Sequence, residues 1–74
     1  MDVKTRIEKD VVIFEKNLLL LEEKKLTESQ QKTVELAKQY HKDSKYYLEK
    51  KDFFTAFGCI NYAHGLLDSI IKFI

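Results

Sequence analysis

Asn61, His64 and Asp68 stand at steps of three and four, so on a helix they share one face and His64 can bond Asp68 within a single turn. A histidine steered by a carboxylate can act as a general base, and both side chains are also metal ligands. The same spacing fits a polar seam that satisfies a histidine at a helix contact, and that structural reading is preferred. His41 is the second histidine, and with Tyr40, His64 and Asp68 it makes the one cluster around which a small-ligand or metal-dependent enzyme could be built. A zinc site needs three or four ligands in close geometry, and these groups fall on separated turns. No metal or other cofactor is expected, and His41 should bond a tyrosine or the backbone.

Cys59 is the only cysteine, which excludes an internal disulfide and fits a reducing, cytoplasmic setting. Gly58 and Gly65 are seven apart and so lie close to one helical face. Each costs about 1 kcal/mol relative to alanine inside a helix, so close approach of another helix, or a ligand against the backbone, should offset it. Tyr40, Tyr46, Tyr47 and Tyr62 could stack bases, but the 13 basic residues are matched by 12 acidic ones and only Arg6 is an arginine. Nucleic-acid binding wants a basic stripe, which is missing, and these rings are expected in the core and at an interface.

The elements that must position these groups are helices. Proline is absent, glycine occurs only twice, and Leu, Lys and Glu abound. The first helix is predicted from about 2 to 25, with Val3, Ile7, Val11, Phe14, Leu18, Leu21 and Lys25 on one face. TESQ, residues 27 to 30, is a capping box that opens the second helix at about Glu28. Its inward stripe is Val34, Ala37, His41, Ser44 and Leu48, flanked by Tyr40 and Tyr47. Asp52 should cap a third helix whose stripe is Phe53, Ala56, Ile60, Ala63, Leu67, Ile70 and Ile74. Short connections make successive helices antiparallel neighbours, so the expected fold is an all-α, up-down-up three-helix bundle in a single domain. Counting outward from the turns levels Phe14 with Tyr40, His41 and Ala63, and Ile7 with Tyr47 and Ala56.

One end of the chain is almost uncharged. Residues 53 to 74, FFTAFGCINYAHGLLDSIIKFI, hold only Asp68 and Lys72 of the 12 acidic and 13 basic side chains. A membrane span is not expected there, because ionised residues near a bilayer centre cost roughly 2.5 to 3.5 kcal/mol each. The charged segment after Met1 also does not suit a secretory leader. Beyond its core stripe the third helix carries Phe54, Phe57, Ile71 and Phe73, and the first carries Val12, Ile13, Leu19 and Leu20. Three helices cannot cover all of these, which implies a partner surface. A homodimer through Phe54, Phe57, Gly58, Gly65, Ile71 and Phe73 is expected, with another cytoplasmic protein as a further partner.

Residues 37 to 70, AKQYHKDSKYYLEKKDFFTAFGCINYAHGLLDSI, resemble an archaeal family catalogued as domain of unknown function 357. The pattern is carried by Tyr40, Asp43 and Ser44, then Tyr46, Tyr47, Leu48 and Glu49, the Lys51-Asp52 turn, Ala56-Phe57, and the run YAHGLLD from Tyr62 to Asp68. This resemblance implies a short three-helix protein compatible with self-association and without an established activity. The same stretch is similar to a single tetratricopeptide hairpin, though without stacked neighbours. It is also faintly similar to helical RNA-cleaving toxin domains, whose paired Arg and His are missing here because no histidine lies near Arg6.

Overall fold

The computed structural model describes residues 2–73. It contains α1 (Val3–Glu22), α2 (Glu28–Glu49) and α3 (Phe53–Ile71), joined by short turns as an all-α three-helix bundle. Each start has the chemistry its first residues dictate. Asp2 accepts a hydrogen bond from the Thr5 amide at 2.7 Å, and that bond holds its carboxyl below the usual range. Thr27 and Gln30 form both halves of the capping box, at 3.1 Å and 2.9 Å. Asp52 accepts from both the amide and the hydroxyl of Thr55. Thr27→Ala should lower stability by about 1 kcal/mol, since it orphans a first-turn amide. A chemical-denaturation midpoint equal to the parent's would contradict this.

α1 ends three residues before the predicted limit. Glu23 is its C-cap and residues 23–27 reverse the chain toward the Thr27 cap, so Lys25 leaves the helical stripe for solvent. Val3, at the other end, is exposed as well. Ile7, Val11, Phe14 and Leu21 are buried, with Leu18 packed beside them. Val34 and Ala37 of α2 and Ala56, Ile60, Ala63, Leu67 and Ile70 of α3 complete the core. Ile74, the last position of the predicted stripe, lies outside the described residues. α3 packs most extensively on α2, less on α1, and α1 barely meets α2. The alanines explain the first preference, because Ala37, Ala56 and Ala63 let helices approach closely.

The α2–α3 turn stores strain that spacing alone did not suggest. The Lys51 amide donates to the Leu48 carbonyl at 3.0 Å, and the Asp52 amide donates to the Tyr47 carbonyl at 2.9 Å. These are the two bonds of a Schellman cap, whose left-handed residue is usually glycine. Here it is Lys51, with φ 64°. Lys51→Gly should therefore raise stability by about 1 kcal/mol, and a fall in the thermal midpoint would refute this account of the turn.

Candidate functional site

Phe14 organises the candidate residues. Its ring is fully buried, stacks on His41 of α2 with centroids 4.6 Å apart, and meets His64 of α3 edge-on at 5.9 Å. The two histidines come from different helices and flank one ring of the third. The level predicted for Phe14 and His41 is the observed one, and Tyr40 adds a tilted contact with Tyr62 at 4.6 Å.

Neither histidine has the partner the spacing suggested. His64 Nε2–H donates to the Asp10 carbonyl of α1 at 2.8 Å, while Asp68 and Asn61 are exposed. The expected His64–Asp68 bond is replaced because His64 sits on the flank of α3 that faces α1. His41 Nε2–H donates to Glu15 at 3.1 Å, in place of a tyrosine or the backbone, and Lys45 approaches the same carboxylate at 3.9 Å. Ser44, the polar residue of the α2 stripe, is fully buried and donates to the His41 carbonyl at 2.7 Å. Among the described residues, no buried side-chain nitrogen or oxygen lacks a partner.

These contacts limit the chemistry. A carbonyl and a carboxylate both accept, so each neutral histidine carries its proton on Nε2, and no carboxylate orients His64 for proton transfer. Burial pushes the Cys59 thiol up, which makes thiolate scarce at neutral pH. Among the described residues, no three His, Cys, Asp or Glu side chains gather as a metal-binding group. The main groove, of about 590 Å³, lies between α1 and α2. Val11, Leu48 and Phe53 are its apolar lining, Lys4, Lys45 and Lys51 line it together with Glu8 and Glu49, and Tyr40, His41, His64 and Asp68 do not. The cluster on which an enzyme would depend is thus dispersed between helix contacts and solvent.

Desolvation is the main reason that His41 titrates below its ordinary value; Glu15 opposes the shift, while Lys45 and His64 add to it. A base with a depressed native pKa binds fewer protons folded than unfolded, so stability rises with pH through its titration. The contribution is fully present above the unfolded pKa of about 6.5 and is lost as pH falls below it. Urea midpoints should decline between neutral and mildly acidic pH, and His41→Gln should flatten the decline. An unchanged slope in the variant would contradict this assignment.

The interface candidates divide into two groups. Phe57 and Ile71 pack partly against the core of their own chain, and Arg6 lies over the Phe57 ring at 5.5 Å. Phe54 is 91% exposed and Phe73 78%. Gly58 and Gly65 are also exposed, and a Cβ built on either meets nothing within 4 Å. Neither glycine is needed for packing inside the chain. On α1, Val12, Ile13, Leu19 and Leu20 are all exposed. No helix among the described residues is long and apolar enough to cross a membrane.

The sequence matches, over residues 9–73, the family described as protein of unknown function (DUF357). No curated protein matches the chain.

Proposed function

The chain belongs to the DUF357 family, which brings no activity with it, and we propose from its own geometry that it is a noncatalytic helical interaction module that self-associates through α3. The observation that carries this reading is the outward face of α3, where Phe54 stands almost fully in water on the same helix as Gly58 and Gly65, two helix-interior glycines with open space above them. Each element is unfavourable for an isolated monomer. A buried phenylalanine contributes about 1.5 to 3 kcal/mol that an exposed one forgoes, and each glycine weakens the helix by about 1 kcal/mol. A second copy would offset both, by covering the ring and by using the missing side chains for close approach. Symmetric dimers are the commonest closed assembly, and a bundle of this size gains much from oligomerisation.

The exposed Leu19 and Leu20 of α1 support a second contact, with a different protein. A reducing, cytoplasmic setting suits the lone Cys59. Self-association has a thermodynamic signature, because a dimer that unfolds to monomers melts at a temperature that rises with protein concentration. Calorimetry across a wide dilution series should show that rise. A midpoint independent of concentration would count against the proposal.

A further inference from the structure

The geometry points to an antiparallel α3–α3 pairing in which Phe54 of each copy seats in an apolar notch of the other, formed by Tyr62, Gly65 and Leu66. This rests on the self-association proposed above and specifies its register. The notch has a volume of about 190 Å³ and offers no polar lining. It exists because Gly65 has no side chain, with nothing within 4 Å of where its Cβ would stand. Phe54 is the most exposed large apolar side chain among those described, and it stands on the first turn of the same helix. One helix therefore carries a knob near its start and a hole three turns further on.

A knob and a hole on one helix are satisfied together only by an antiparallel twofold partner, in which residue i meets j and j meets i. A parallel pair would set knob against knob. Placing Phe54 level with the partner's Gly65 fixes every other pairing, because the two chains run in opposite directions. Gly58 comes level with the partner's Asn61, so the helices meet where one backbone is bare. Phe57, whose ring packs partly on the core of its own chain, comes level with the partner's exposed Tyr62. Lys51 belongs to the turn that enters α3, one residue before its Asp52 cap, so this register brings the lysine to the rim of the contact toward the partner's Asp68, an opposite charge, at both ends. Within their own chain, among the described residues, neither Lys51 nor Asp68 is in an ion pair. The register thus joins apolar complementarity at two notches with charge complementarity at two rims.

The test uses the full chain and light scattering coupled to size exclusion, with circular dichroism to follow folding. Phe54→Ala should weaken the dimer about tenfold or more, as expected for an aromatic anchor, while leaving the monomer folded because the ring touches solvent. Gly65→Leu should also weaken it about tenfold by filling the notch, yet raise the melting temperature of the monomer. Asp68→Lys and Lys51→Asp should each weaken the dimer, and the two together should restore it. A parent dimer unaffected by Phe54→Ala and Gly65→Leu overturns the register and leaves self-association standing. A double charge swap no tighter than its singles also overturns it. A parent monomeric at high micromolar concentration overturns the self-association reading itself, and the register with it.

Discussion

Phe14→Ala is expected to leave most of the chain unfolded at room temperature. The ring is fully buried and is the surface on which both histidines rest, one stacked at 4.6 Å and one edge-on at 5.9 Å. Truncating a buried phenylalanine typically costs about 3 to 5 kcal/mol, through lost transfer energy and the cavity left behind. A single core in a chain this short rarely supplies more than about 3 to 5 kcal/mol in all. α1 would suffer most, because it barely meets α2 and Phe14 is one of the four buried side chains, with Ile7, Val11 and Leu21, by which it holds to the hairpin. Far-ultraviolet circular dichroism with a urea titration checks the expectation. A cooperative transition with a midpoint close to the parent's would show that the Phe14 layer does not hold α1 in place.

Replacing both glycines of α3 should act in the opposite direction. Gly58→Ala and Gly65→Ala together are expected to stabilise the monomer by about 2 kcal/mol, because each new methyl enters open space and each residue gains helix propensity. For a domain of this size that is a rise of about 4 to 8 °C in Tm for each kcal/mol. The comparison is made at concentrations where the parent is monomeric, so that association does not enter. At higher concentration the same variant should associate less tightly than the parent, since two helices that met across bare backbone must now separate. Stability gained and association lost in one protein would show that the glycines serve a contact outside the chain. A loss of monomer stability would mean that the α3 backbone needs them for its own conformation.

The local rules were the most legible part of this chain. TESQ has both halves of a capping box and Asp52 precedes an apolar run, so helix starts followed from a few adjacent residues. The core stripe of α3 kept its steps of three and four from Ala56 to Ile70, and each of its positions in that span is buried. The level that places Phe14 beside His41 followed from counting outward from the turn, because antiparallel helices advance at equal rise. What lay beyond reach was set by the third dimension. Asp10 is 54 residues from His64 and offers a backbone carbonyl, a group every residue carries and no sequence pattern marks. Glu15 is different, since it follows Phe14 directly, and the same level count brings it within reach of His41. Lys51 gave no warning either, because its left-handed conformation is imposed by the turn and glycine is the residue expected there.

The two glycines were expected to mark a close helix approach or a ligand against the backbone, and the sequence could not choose between them. Their seven-residue spacing placed them on one face, but spacing cannot say whether a neighbouring helix of the same chain or a separate molecule occupies it. The structure leaves that face open within the chain. The enzyme alternative depended on a cleft where Tyr40, His41, His64 and Asp68 converge, and these residues instead lie in helix contacts or solvent, away from the α1–α2 groove.

Sedimentation equilibrium of the unmodified chain, followed from low to high micromolar concentration, tests self-association through α3 most directly. The account predicts a weight-average mass that climbs with concentration and levels off at twice that of the chain. A mass that stays at one chain throughout would contradict it.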